Sequence, residues 1–280
     1  MKRIKVLYLI TGVNVGGAEK LLLDTVCNLD AKQFEPVVVS LVGGELLAEF
    51  QRCGIRIYDL RMSRRWPFSG IERLWRVLKK ENPQILHTHL IHADFLGRIL
   101  GWLCGVPIIM TTLHMVEDAR RKFPFHSLDR FAARFNTVLI AVSDRIKKEI
   151  VDLEKFNPNK IIVIHNAVAN WDPVHHQKAQ ALREQLQIKP GGILLGVVSR
   201  LEVPRKGHYV LFKALGQLVL QHPNLHCVVI GDGLGRGQLQ QQVDNLGLNS
   251  HVTFVGTQHN IPEWLQALDI FVPGFPGHAQ

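Results

Sequence analysis

Two cations in one short loop, Arg200 and Lys206, are the side chains of this sequence best suited to holding an anion. They stand in SRLEVPRKG (199–207), between an apolar run at 193–198 and a run that places Val210, Leu211, Ala214, Leu215 and Leu218 at helical spacing. In a parallel α/β sheet such a loop lies at the carboxyl end of a strand, where ligands bind. A diphosphate matches it. A guanidinium fork and a point-charge ammonium share its oxygens, while helix-start amides add partial positive charge. Solvated loop charges would use the same residues, so the loop alone leaves both readings open.

Other constellations sit at the same kind of place. TGVNVGGAEK (11–20) follows an apolar run, and Gly16 and Gly17 would let backbone approach a ligand. The motif is neither G-x-G-x-x-G nor a P-loop, and a tight structural turn would use the same glycines. HTHLIHADF (87–95) carries His87, His89 and His92 at a spacing that zinc sites use, but no fourth ligand stands out and no metal is expected. His87 is expected to point into the sheet. His114 follows the run 107–112, either as a structural hydrogen-bonder or as a group facing a ligand. Ser143 reads as a helix cap. Gly231-Asp232-Gly233 ends the run 225–230, as a plain turn or as a place of close ligand approach.

The elements that must position these residues alternate. Strand-like runs at 4–10, 36–41, 55–60, 85–88, 107–112, 138–142 and 161–164 are separated by amphipathic helical stretches, the pattern of stacked βαβ units. A polar stretch, 169–190, interrupts the rhythm and is expected to be a linker, with a helical patch inside it. The alternation then resumes with strands at 193–198, 225–230, 252–255 and 269–272 and helices at 208–221, 235–246 and 262–268. The fold class is α/β with parallel sheets, in domains at 1–168 and 191–280.

The loop S-R-L-E-V-P-R-K-G resembles the (G/S)-R-L-x(n)-K-G loop of family 4 glycosyltransferases, retaining enzymes of GT-B fold that take a sugar from a nucleotide donor. The glycine pair before Ala18-Glu19, the T-x-H ending at His114, V-I-H-N-A-V (163–168) and V-T-F-V-G (252–256) resemble further segments of that family. The resemblance implies two Rossmann-like domains facing a cleft, acceptor side first and donor side second. It implies that Arg200 and Lys206 hold the donor diphosphate, that Gly16 and Gly17 lie near the donor phosphates, and that Gly231 and Gly233 lie near the base. His114 is implied to contact the transferred sugar or the donor phosphate, Ser143 to sit at the cleft rim, and His89 and His92 to lie on the acceptor side. The donor is a nucleotide-sugar, no cofactor or metal is needed, and the acceptor is a cell-surface polysaccharide, a lipopolysaccharide or a lipid-linked glycan. Two departures stand out: Ala167 replaces the usual glycine, and Pro273-Gly274-Phe275-Pro276 replaces the family's E-G-F-P. The second glutamate of that motif would fall beyond residue 280, so the second domain is expected to be incomplete. The alternative function is then an inert or nucleotide-sugar-binding remnant of such an enzyme.

Composition bounds the rest. With 280 residues, 46% of them hydrophobic, the chain can bury two cores. Its 33 basic and 24 acidic residues give net +9, and the excess lies in 1–170. Nucleic acid is excluded as the expected partner because the basic residues are dispersed over no known module. A nicotinamide-dependent oxidoreductase lacks its glycine fingerprint. The stretch 61–80 mixes basic residues with Trp66, Phe68 and Trp75, and its stripe Ile71, Leu74, Trp75 and Leu78 suits either core packing or an anionic membrane surface. No run reaches membrane-spanning length, and a cytoplasmic location follows by default. The four cysteines, Cys27, Cys53, Cys104 and Cys227, read as buried reduced thiols.

Overall fold

The computed structural model describes residues 3–63, 67–115, 125–154, 156–167, 176–203 and 206–274. Trp66, Val168, Pro204, Arg205, Phe275, Pro276 and residues 169–175 of the expected linker lie outside the described residues. The chain divides into two units, Met1–Val168 and Ala169–Gln280.

In the first unit, β1 (Ile4–Ile10), α1 (Gly17–Cys27), β2 (Phe34–Ser40), α2 (Leu47–Arg52), β3 (Arg56–Asp59), α3 (Pro67–Glu81) and β4 (Ile85–His89) come in strict alternation. They are followed by α4 (Ile91–Leu103), β5 (Ile108–Leu113), α5 (Phe125–Ala132), a 3-10 turn at Ala133–Phe135, β6 (Val138–Ala141), α6 (Asp144–Glu154) and β7 (Ile161–Val163). The seven strands pair in parallel in the order β3-β2-β1-β4-β5-β6-β7. Apolar residues of β1 go to both faces, as burial on both sides of a parallel sheet requires. Leu7 and Leu9 pack with Leu74, Leu78 and Leu100 of α3 and α4. Val6, Tyr8 and Ile10 pack with Leu22, Leu23 and Val26 of α1 and Phe50 of α2. The strand order reverses between β1 and β4, so the carboxyl ends of those two strands flank the switch point where a doubly wound sheet takes its ligand.

The second unit contains α7 (His176–Gln185), β8 (Ile193–Val198), α8 (His208–Leu218), β9 (Leu225–Ile230), α9 (Arg236–Asn245), β10 (Val252–Gly256), α10 (Ile261–Ala267) and β11 (Ile270–Phe271). Its parallel sheet runs β10-β9-β8-β11. Here the switch point lies between β8 and β11, which brings the loop after β8 beside the chain that leaves β11. Every strand expected in 191–280 is found in this one sheet, and the expectation of an incomplete second domain gains no support.

Two expectations are corrected. Residues 176–185 are not linker but α7. Its Ala179 is buried with Leu194, Trp264 and Ala267, and Arg183 Nη1 donates to the Ala267 carbonyl at 2.7 Å and pairs with Asp269 at 2.9 Å. Cys27 and Cys53 are not reduced thiols but a disulfide across 26 residues, formed because α1 ends where α2 ends, with Cα atoms 5.7 Å apart. The free thiols are Cys104 and the buried Cys227, whose pKa burial pushes up to about 12. Of the two readings open for the α3 stripe, core packing is the one found: Leu74 and Leu78 are buried, with Ile71 and Trp75 packed beside them, and the stripe is not available to a membrane.

Candidate functional site

In the first unit the loop after β1 is pinned by its own backbone. Val13 N donates to the Gly43 carbonyl at 2.9 Å, Leu46 N to the Val13 carbonyl at 2.9 Å, and Ala93 N to Thr11 Oγ1 at 3.2 Å. Gly16 is extended, a conformation open to any residue, and a Cβ on Gly17 would meet nothing within 4 Å. The backbone angles therefore do not demand a glycine at 16, nor does local packing demand one at 17. They leave open space at the start of α1, where four backbone N–H groups lack helical partners.

Across the switch point runs a row of aromatic and imidazole rings. Residues two apart on a strand share a face, so His87 and His89 stand side by side, 4.4 Å between ring centroids, with Tyr8 of β1 at 5.4 Å from His87. His87 is thus on the same face as His89, where its Nε2 lies 2.7 Å from Thr112 Oγ1. His89 Nδ1 lies 3.0 Å from His114 Nε2. Burial holds His87 and His114 down to pKa values of about 4, pushes His89 well below its ordinary value, and raises Tyr8 to about 12. The three imidazoles are neutral at pH 7. Directly after them Leu90 takes φ 72°, a strained angle for a non-glycine residue, as the chain turns into α4. His92 is exposed on the first turn of α4, off this row. Ser143 caps α6, its Oγ accepting from Ile146 N at 3.3 Å. Among the described residues, no three His, Cys, Asp or Glu side chains are arranged to hold a metal ion.

In the second unit the structure brings Arg200, Lys206, Gly231 and Gly233 together at the carboxyl ends of β8 and β9. The loop after β8 and the turn after β9 meet backbone to backbone. Leu201 N donates to the Asp232 carbonyl at 3.0 Å and Gly235 N to the Leu201 carbonyl at 2.9 Å. Gly231 has φ +131°, and a Cβ on it would come within 2.1 Å of the Ser199 carbonyl; one on Gly233 would come within 2.6 Å of that of Leu201. These glycines are required by the packing of the two loops, whatever else they do. Arg200 is exposed, with Nη1 3.6 Å from Glu202 Oε1, and Lys206 N bonds the Glu202 carbonyl at 3.2 Å. Gly207, in the left-handed region at φ 71°, then starts α8. Two cations and the N-terminus of an 11-residue helix therefore share one strand end.

The sequence reading missed His208. Only 2% exposed, it sets Nε2 2.8 Å from Ser199 Oγ and so ties the first turn of α8 to the end of β8. Burial first, and Lys206 second, lower its pKa. Its position next to a left-handed glycine was the available signal. Gly274 was also not expected here: a Cβ on it would lie 3.4 Å from Ser199 Cβ and 3.6 Å from the Lys206 carbonyl. Asp232, with its carboxylate held below the usual range by the Gly233 amide and then by Arg236, orders the turn after β9.

Known protein families match in two stretches: residues 15–169 fit the model described as Glycosyltransferase Family 4, and residues 178–274 that described as Glycosyl transferases group 1. The chain is 30% identical over 209 residues to the UDP-Gal:alpha-D-GlcNAc-diphosphoundecaprenol alpha-1,3-galactosyltransferase of Escherichia coli, covering 71% of this chain and 54% of that protein. It is 28% identical over 172 residues to the capsular polysaccharide biosynthesis glycosyltransferase CapH of Staphylococcus aureus, covering 58% and 47%. The chain thus spans about half the length of these curated relatives. Among solved structures, Anabaena Alr3699/HepE in complex with UDP and glucose superposes with a TM-score of 0.82 at 21% identity, over 96% of this chain and 73% of that one. At that identity the likeness is one of fold, and the fold is GT-B.

Proposed function

The chain belongs to glycosyltransferase family 4, and from that premise we propose that it moves a sugar from a nucleotide-sugar donor to a polysaccharide, lipopolysaccharide or lipid-linked acceptor, with retention. The observation that carries the reading is the convergence of Arg200, Lys206 and the N-terminus of α8 at the switch point of the second sheet. Charge grows on the bridging oxygen as the sugar departs, and fixed cations and helix amides stabilise that charge without reorganising. No metal or cofactor is needed for this. In the first unit His114 offers the substrate a neutral hydrogen-bonding group, and the open space at Gly17 leaves room for a ligand at the start of α1.

Uridine diphosphate sugars are the donors to try first, since the Escherichia coli relative is named for UDP-Gal and the Anabaena structure holds UDP. That relative's diphosphoundecaprenol acceptor supports a sugar-diphosphate polyisoprenol as the acceptor class. The test is UDP release from a panel of UDP-sugars with such an acceptor, with the product anomer read by NMR. Acceptor-dependent release with the donor's anomeric configuration kept is expected. Tight UDP binding with no transfer from any donor would favour the nucleotide-sugar-binding remnant instead.

A lipid-linked acceptor calls for contact with a membrane on its cytoplasmic face. No described helix is long and apolar enough to cross one. With the α3 stripe buried, the surface that suits peripheral contact is the end of α4 with α5 and the turn after it. Trp102, Leu103, Leu128 and Phe131 are about half exposed there; Trp102 stacks on Phe135 at 4.6 Å, and the Arg134 guanidinium lies 5.7 Å from the Phe131 ring. The described carboxylates of these elements, Asp94 and Asp129, are both buried, so aromatic rings and arginines face outward with no exposed acid among them. Such a surface fits an anionic leaflet. Flotation with anionic vesicles should recover the protein at low salt, and Trp102→Ser with Phe131→Ser should abolish it. Equal recovery of that double variant would place the contact elsewhere.

A further inference from the structure

The pair formed by buried His89 and half-buried His114 carries a statement about protons as well as position. Both imidazoles are neutral, and their facing nitrogens, His89 Nδ1 and His114 Nε2, are 3.0 Å apart, so one of the two holds a proton and the other a lone pair. If His114 donated from Nε2, the proton of His89 would sit on its own Nε2. That atom is buried without a hydrogen-bond partner, and His89 is only 5% exposed. A buried N–H with no acceptor is among the rarest and most costly arrangements in folded proteins. If His89 donates from Nδ1, its buried Nε2 is left as a bare lone pair among the rings of Tyr8 and His87, and no proton is stranded.

We propose that His89 is a positioning residue that fixes the tautomer of His114, so that His114 holds its proton on Nδ1 and presents that N–H as a donor. The Nδ1 atom of His114 is the one that no described residue engages. A donor there suits the oxygen-rich ligand of a sugar transfer, a hydroxyl or a phosphate oxygen, where a bare lone pair would repel an anionic oxygen. The kinetic half of this inference rests on the reading of His114 as a substrate-facing residue; the tautomer itself does not. Thr112 supports the arrangement by holding the neighbouring His87 at 2.7 Å, which keeps the stacked pair of rings in place.

The deciding experiment is NMR of the full chain, labelled with 15N-histidine and free of ligand, at pH 7.5. Two-bond couplings distinguish a protonated ring nitrogen from a bare one. Nδ1 protonated and Nε2 bare on both His89 and His114 is expected, and a proton on Nε2 of His114 would overturn the assignment whatever the turnover. The wild-type spectrum decides this with no variant needed. Turnover then tests the positioning role. His89→Leu should mix the His114 tautomers and lower kcat by roughly tenfold to a hundredfold, the range in which partners that orient a functional imidazole act. His89→Asn, whose amide nitrogen reaches the place of Nδ1, should restore the single tautomer and most of the rate. The expected tautomer with unchanged kcat in His89→Leu would overturn the positioning role. Failure of the underlying reading shows separately, as no loss of transfer in His114→Ala.

Discussion

Gly231 shows at the scale of one residue how the donor-side loops are held. Its φ of +131° and the 2.1 Å approach of an added Cβ to the Ser199 carbonyl leave no room for a side chain. The opposing atom is backbone and cannot swing away. Gly231→Ala should therefore push the two loops apart, cost about 1–3 kcal/mol of stability in the strained conformation, and weaken UDP binding; thermal unfolding and calorimetry would measure both. Gly17→Ala is the control, since its Cβ meets nothing within 4 Å, and it should leave the melting temperature unchanged. An equal loss in both variants would show that loop packing does not depend on Gly231. The sequence marked Gly231 and Gly233 as a turn or a ligand approach without choosing. The structure shows packing against a loop 32 residues away, Gly231 on Ser199 and Gly233 on Leu201, which no local pattern encodes. Arg98 of α4 depends on distant packing too: it is 0% exposed and pairs with Asp129 at 2.6 Å, a partner that the packing of α5 on α4 supplies.

Elements were far more legible than contacts. β1, β8 and β9 have the bounds their apolar runs give, because a buried parallel strand is a short apolar run closed by turn residues. α7 was placed inside the linker, as its helical patch, because its polar face dominates its composition; Arg183 donates to the Ala267 and Gly192 carbonyls, and Lys178 pairs with Glu263 of α10. The face shared by β4 and β5 also has a consequence for pH. His87 and His114 titrate near 4 in the fold, because burial disfavours their charged forms, whereas unfolded histidine titrates near 6.5. His89, His208 and His226 are lowered too. Below pH 6.5 the unfolded chain therefore binds more protons than the folded one, and unfolding becomes easier as pH falls. Stability from these groups is full above 6.5 and is lost between 6.5 and about 4, by on the order of 1.4 kcal/mol per group for each unit of depression. The thermal midpoint followed by circular dichroism should drop steadily from pH 7 to pH 5. A flat midpoint over that window would mean that the row is charged or solvated in the folded state.

For the molecule as a whole, the alternation of runs gave two parallel α/β units, and the spacing of Arg, Lys and Gly in one loop pointed to a diphosphate. What no spacing could give was strand order. That order puts the loop after β8 beside the chain leaving β11, and it puts His89, at the end of β4, beside His114, at the end of the neighbouring β5. It turns scattered motifs into two strand-end clusters, a cationic one with Arg200 and Lys206, proposed above to hold the diphosphate, and a neutral imidazole one. Both units fit the family, and the group 1 match over 178–274 contains the whole of the proposed diphosphate loop. The account's central claim is that this loop grips the donor diphosphate. Isothermal titration of UDP into the full chain, repeated with Arg200→Ala and with Lys206→Ala, tests it most directly. Binding by the wild type, weakened in each variant by about 1.5–3 kcal/mol as for a lost charged hydrogen bond, is the predicted result; UDP affinity unchanged in both variants would contradict it.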